Sequence, residues 1–203
     1  MEKNNFSGKF IVFEGLDGSG QSTQASLLKD FLLEKGYEVV LTKEPSLESE
    51  SGRKIRKVLS KEIKISSKEL QKLFAEDRKA HLENTIIPAL KQGKAVISDR
   101  YFFSTFAYGA SDGLDLEWLI EINDQFLFPD LTFLLKVGPK VCIDRIIKRG
   151  EGIDLFEKEE KLASVWETYK ILPNRFENVY IVDGERSIEE VFKEIKKIAN
   201  EFL

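Results

Sequence analysis

The run Gly15-Leu16-Asp17-Gly18-Ser19-Gly20-Gln21-Ser22-Thr23 combines residue types that can hold a phosphate. Gly15 and Gly20 stand at the spacing of a Walker A loop, with two hydroxyl residues behind them. In such a loop successive backbone N–H groups curl around the anion. Glycines permit the required φ angles and close approach, and the helix that follows adds its positive end. Ser22 offers a hard oxygen to Mg²⁺. The pattern departs at Gln21, where a lysine would bring full charge to the β and γ phosphates of a nucleotide; an amide offers a donor without charge. Two readings therefore stay open: a transferring loop whose cation comes from elsewhere, or a loop that binds nucleotide without catalysis or merely turns the chain from strand to helix.

A second group, Asp99-Arg100-Tyr101, follows the apolar run Ala95 to Ser98. This is the C-terminal end of a strand, where ligands of open α/β sheets bind. Asp99 can enter a Mg²⁺ shell, and the planar fork of Arg100 can hold phosphate at two points. A plain Asp–Arg ion pair is the competing account. Asp17, a carboxylate inside a phosphate loop, either has a specific task or shapes the loop as an Asx turn. Phe74 and Arg78 lie one helical turn apart and can reach the same pocket; Phe74 alone would read as core packing.

The elements that must position these groups alternate in type. Strand-like runs span Lys9 to Glu14, Glu38 to Leu41, Ala95 to Ser98, Leu131 to Val137 and Val179 to Val182. Helical periodicity marks Ser22 to Lys35, Lys68 to Lys91 and Ile188 to Phe202, with Pro88 expected to kink or end the second. Gly36, Gly93 and Gly150 each follow a helical pattern, where a left-handed residue is expected. The alternation predicts one α/β domain, its parallel sheet covered on both faces.

Composition narrows the function. The 203 residues carry 31 basic and 35 acidic side chains, a net charge of -4, without the positive field that non-specific duplex binding needs, so nucleic acid is not expected as a partner. Cys142 stands alone, which excludes an internal disulfide framework or cysteine zinc cage. No apolar run approaches the roughly 20 residues of a membrane helix, and the N-terminus lacks a secretory pattern; a cytoplasmic protein is expected. The single histidine, His81, is expected on a helix surface.

Four segments in order, FEGLDGSGQSTQ at 13 to 24, LFAEDR at 73 to 78, DRYFFSTFAY at 99 to 108 and DRIIKRG at 144 to 150, resemble thymidylate kinases over essentially the whole chain. The resemblance implies a P-loop NTPase three-layer fold, with a five-stranded parallel sheet flanked by helices and a mobile lid over about 145 to 155, assembled as a homodimer. It implies phosphorylation of thymidine 5'-monophosphate by ATP. Gly15, Gly18, Ser19, Gly20, Gln21, Ser22 and Thr23 would hold the ATP phosphates with Arg145 near the adenine, and Ser22 and Asp99 the Mg²⁺. On the acceptor side Asp17 would take the sugar 3'-hydroxyl, Phe74 would stack on thymine, Arg78 would donate to its O4 and Arg100 would bridge the two phosphates. Ser104, Thr105 and Tyr108 would line base and sugar, with Thr105 at the N3 edge and Tyr108 crowding a ribose 2'-hydroxyl, and Lys43 or Arg53 would hold the monophosphate. Because Ser19 is not arginine, the resemblance is to members whose lid supplies the arginine for transfer, here Arg149, with Arg145 or Lys148 as alternatives. Gln21 would be a neutral donor. Gly109 stands where a glutamine is common. Broader pyrimidine specificity, or binding without catalysis, are the rival functions.

Overall fold

The computed structural model describes residues 1–148 and 155–203. Strands β1 (Glu2–Lys3), β2 (Lys9–Gly15), β3 (Val39–Lys43), β4 (Ala95–Asp99), β5 (Leu127–Phe128), β6 (Leu131–Lys136) and β7 (Val179–Asp183) alternate with helices α1 (Gln21–Glu34), α2 (Glu50–Leu59), α3 (Ser67–His81), α4 (Ile87–Lys91), α5 (Phe102–Ser111), α6 (Leu116–Glu121), α7 (Pro139–Lys148), α8 (Leu155–Arg175) and α9 (Ile188–Phe202). The main sheet is five-stranded, in the order β3-β4-β2-β6-β7, and every pairing in it is parallel. A two-stranded β1-β5 sheet, too short to announce itself in the sequence, ties down the N-terminus.

Strand β2 shows why the sheet needs two helical layers. Its side chains alternate between faces, as the pleat demands. Phe10 and Val12 join the apolar cluster beneath α4, α5, α7 and α8, while Ile11 and Phe13 join the one covered by α1 and α9. With both faces buried the strand reads as a continuous apolar run. Glu14 interrupts it at the C-terminal end.

The helical pattern at 68 to 91 is not one α-helix. Residues Leu82–Ile86 form a π-turn, closed by the Ile87 N–H on the Leu82 carbonyl. Pro88 follows, in the first turn of α4. Proline lacks an N–H and its ring collides with the carbonyl one turn back, and a widened turn absorbs both effects. Gly36 and Gly93 take the left-handed φ expected of them, at 88° and 78°; Gly150 lies outside the described residues. No helix among the described residues is long and apolar enough to cross a membrane.

Candidate active site

The phosphate loop joins β2 to α1. Helices α2, α3, α6 and α9 begin with a side chain, from Ser49, Ser66, Asp115 and Ser187, accepting from a first-turn N–H. Helix α1 begins at left-handed Gly20 with no side-chain cap among the described residues. Its first N–H groups are left for an external acceptor. Gly18 is fixed by crowding and by its φ of 87°, since a Cβ there would sit 2.6 Å from the Cys142 carbonyl oxygen. Burial raises the Cys142 thiol to about 12, so it is no nucleophile at neutral pH.

Gln21 is turned inward. Its Nε2 donates to the Gly15 carbonyl at 2.8 Å and its Oε1 accepts from Ser19 Oγ at 2.9 Å. The amide expected to face a phosphate thus spends its hydrogen bonds within the loop. Behind it Ser22 Oγ donates to Asp99 Oδ2, and Lys43 Nζ approaches the same oxygen at 3.0 Å. The hydroxyl and carboxylate meet as a hard-oxygen pair with a cation beside them.

Asp99 does not pair with Arg100. Arg100 Nη2 instead binds Asp17 Oδ1 at 2.6 Å, Nη1 reaches the Gly15 carbonyl and Ser104 Oγ, and the guanidinium lies 5.4 Å over the Tyr108 ring. Its φ is 76°, a left-handed backbone that costs energy in a residue with a Cβ and persists only where neighbours enforce it. The neighbours that enforce it are polar: the Arg100 N–H donates to the Phe13 carbonyl, and Ser98 Oγ donates to the Arg100 carbonyl.

Glu14 completes the turn. Helix α5 has no cap from its own N-cap residue, Tyr101, but the N–H groups of Tyr101 and Ser104 both donate to Glu14 Oε1, at 2.9 and 3.1 Å. Its Oε2 accepts from Ser104 Oγ and from Tyr169 Oη of α8. One carboxylate therefore links the strand entering the phosphate loop to α5 and α8. Burial raises its pKa, against the pull of Arg100 and these donors.

On one side of the loop lies a cavity of about 630 Å³, the size of a small-molecule site, lined by Asp17, Lys43, Phe74, Arg78, Arg100, Ser104, Thr105 and Tyr108 among others. Phe74 is half-buried and belongs to neither apolar cluster, which disposes of core packing as its reason. Arg78 is 1% exposed. Its Nε and Nη2 converge on Glu44 Oε2 at 2.9 and 2.7 Å, Nη1 donates to Asn123 Oδ1, and Nη2 also reaches Thr105 Oγ1 at 3.2 Å. Its orientation is fixed before any ligand arrives. Burial raises the Tyr108 phenol, keeping it a neutral wall.

Two expectations need correction. His81 is not on the helix surface: it is 4% exposed, with Nδ1 3.3 Å from Glu44 Oε1 and Nε2 2.6 Å from Thr42 Oγ1, because the face of α3 that carries Arg78 is covered by the β3–α2 connection. Arg53 does not line the cavity; its guanidinium donates to the carbonyls of Leu47 and Glu48. Arg56, one turn further along α2, lines it instead.

Across the loop a second cavity of about 350 Å³ is lined by Gly18, Ser19, Gly20 and Thr23 and by the basic side chains Arg145, Lys148 and Arg186. Arg145 donates to the carbonyls of Ser19 and Gly184. Arg145 and Lys148 lie on α7, and Arg149, with the rest of the expected lid up to residue 154, falls outside the described residues.

A profile described as thymidylate kinase matches residues 13–195. The chain belongs to the thymidylate kinase family. A probable thymidylate kinase of Pyrococcus horikoshii is 44% identical over 193 residues, covering 93% of this chain and 94% of the relative. One from Archaeoglobus fulgidus is 39% identical with 95% of each covered, and a thymidylate kinase of Caldicellulosiruptor saccharolyticus is 36% identical with 97% and 98% covered. The strand order and the glycine loop at the end of the central strand are accordingly those of a P-loop NTPase.

Several residues that build this thymidylate kinase site carry little signal in the sequence. Glu14 had a visible signal, a carboxylate at the end of a wholly buried strand. Glu44 and Asp77 had weaker ones. Asp77 Oδ2 accepts from the Ser46 N–H and its Oδ1 from Ser46 Oγ, both at 2.7 Å, clasping the β3–α2 connection, where a Cβ on Gly52 would lie 1.8 Å from the Ser46 carbonyl oxygen.

Proposed function

We propose that this protein transfers the γ-phosphoryl group of ATP to thymidine 5'-monophosphate, giving ADP and thymidine 5'-diphosphate. The observation that carries the reading is the cavity pairing a half-buried aromatic, Phe74, with a buried, pre-oriented arginine, Arg78, and ending at the Asp17–Arg100 pair of the phosphate loop. Phe74 stacks on the base, Arg78 offers a donor to its O4 edge, and Thr105 and Tyr108 close the sides. Ser104 fixes Arg100, and Asp17 orients the sugar. Lys43 and Arg56 draw in the monophosphate, and Arg100 bridges it to the donor phosphates. The basic cavity across the loop takes the nucleoside end of ATP, with Arg145 beside the adenine.

Transfer between phosphates needs no strong general base, because the acceptor oxygen is already anionic; alignment and charge neutralisation are what must be supplied. Ser22 Oγ and Asp99 present the hard oxygens that suit Mg²⁺, which would neutralise phosphate charge when bound. Arg149 is the residue we assign to the transferring phosphate. The reading also has the enzyme working in the cytoplasm as a homodimer, the latter checked by sedimentation.

Coupled ADP release over a panel of monophosphates with ATP and Mg²⁺ tests the proposal. Thymidylate should be the best acceptor, deoxyuridylate a poorer but real one since a buried methyl is worth about 0.8 kcal/mol, and guanylate inactive. Guanylate turnover equal to that of thymidylate would sink the cavity assignment. The inward amide of Gln21 favours one rival, nucleotide binding without catalysis, for which ATP would bind while no acceptor released ADP.

A further inference from the structure

Resting on that reading of the cavity, we infer that Gln71 is a specificity-determining residue whose side-chain carbonyl accepts the N3–H of the acceptor base. Gln71 lies on α3, on the helical face of Phe74 and Arg78, and lines the same cavity. It is 2% exposed, and its Oε1 has no hydrogen-bond partner among the described residues. A buried amide oxygen left unpaired is costly, and such a group calls for a partner. Here the cavity is where that partner can enter. Oε1 is itself covered in this structure, and the broad terminal torsion of a glutamine lets the amide turn it toward the cavity without losing a hydrogen bond of its own.

The surroundings say which partner it would be. Arg78 has only donors, and Thr105 Oγ1, which the resemblance sets at the N3 edge, already accepts one of them at 3.2 Å, whereas Gln71 Oε1 accepts nothing. A ligand edge that meets Arg78 must present an acceptor, and one that also satisfies Gln71 must present a donor beside it. The 2,4-dioxopyrimidine edge of thymine or uracil has that order, O4 next to N3–H. A 4-aminopyrimidine has the reverse, a donor next to an unprotonated ring nitrogen. Opposite Gln71, Gly109 leaves room that a side chain would take, since a Cβ would lie 2.7 Å from the Leu119 side-chain tip at Cδ2 and 3.4 Å from Gln71 Cδ. The glutamine thus fills the wall from the α3 side.

The test compares thymidine 5'-monophosphate with its N3-methyl analogue, in the parent protein and in Gln71→Leu, by steady-state kinetics with saturating ATP and Mg²⁺. The parent should prefer the unmethylated substrate. In Gln71→Leu kcat/KM for thymidylate should fall about 10- to 100-fold, the range for a buried hydrogen bond lost on one side, mainly through KM. Activity on the N3-methyl analogue should hold, so that the preference shrinks by the same factor, while KM for ATP stays unchanged. Equal losses on both substrates, with the preference intact, would show that Gln71 only packs and would overturn the inference. Should Gln71→Leu melt below the assay temperature, Gln71→Met, which keeps length without the amide, makes the same comparison. A parent protein inactive on every pyrimidine monophosphate overturns the functional reading, and this inference with it, whereas an active parent with an intact preference in the variant overturns this inference alone.

Discussion

In the acceptor cavity a full positive charge, Arg78, is buried and answered by Glu44, Asn123 and Thr105 before any ligand is present. In the phosphate loop the position that would bring a charge to the nucleotide carries Gln21, an amide satisfied by its own loop. The first region stores charge for recognition at a fixed place. The second holds shape, its glycines and uncapped helix start, and takes its charge from side chains on other elements. Arg100, from the end of β4, lies at the junction, touching the loop through Asp17 and the Gly15 carbonyl. On the proposed reading the two regions divide recognition from transfer, and substitutions should separate them.

The largest effect is expected at the junction. Arg100→Ala should lower kcat by about 10³-fold, and Arg100→Lys should recover little of it, because a point charge cannot span two phosphates. A fully active Arg100→Lys would reduce Arg100 to the ion-pair partner of Asp17. Arg78→Ala comes next and acts on stability as well: with Glu44 left buried without its guanidinium, urea denaturation should show a loss of about 3 to 5 kcal/mol, and KM should rise for thymidylate but not for ATP. Equal losses for both substrates would erase the distinction between the regions. Gln21→Ala should cost less, about 1 to 2 kcal/mol in turnover, since only neutral hydrogen bonds within the loop are removed. A parent that is inactive and becomes active only as Gln21→Lys would show that the loop cannot borrow its charge.

The smallest effect is a slope. The Glu14 carboxyl titrates above its usual 4.5 in the native protein because of burial, so the folded chain holds a proton that the unfolded chain has released. That contribution to stability is full below pH 4.5 and is lost as pH rises through the native value. Glu14→Gln should therefore flatten the decline of the urea midpoint above that pH. Identical slopes in parent and variant would mean that the carboxylate stays charged against its donors.

The sequence made the strands and the loop legible because each is a local pattern: an apolar run, then glycines at fixed spacing, then a helix. Phe74 and Arg78 could be joined to one pocket because a helix repeats at that interval. What stayed hidden was the pairing between distant segments. Nothing near Arg78 in the chain indicates Glu44 or Asn123, and nothing near Tyr101 indicates that Glu14 caps its helix. The burial of His81 is hidden for the same reason, since it depends on the β3–α2 connection folding across α3. Gln21 failed differently: its identity was plain, but its orientation depends on a carbonyl and a hydroxyl in the same loop competing with a ligand.

The π-turn at Leu82–Ile86 makes chain length itself a constraint. Five residues there cover about the arc that four cover in an α-helix, so one residue more than the regular helix needs is taken up, and Ala89 and Leu90 still reach the apolar face they fill. Inserting a further residue in the regular turns before it, with no second wide turn to take it up, would turn everything beyond by about 100°, the angle between successive residues at 3.6 per turn. Ala89 and Leu90 would swing off that face, and Gly8, whose N–H binds the Leu90 carbonyl and whose missing Cβ would sit 2.8 Å from Leu90 Cα, would lose the surface it is docked on. An insertion that looks harmless in a long exposed-looking helix would thus be felt at the first residues of the central strand, and through it at the loop where that strand ends.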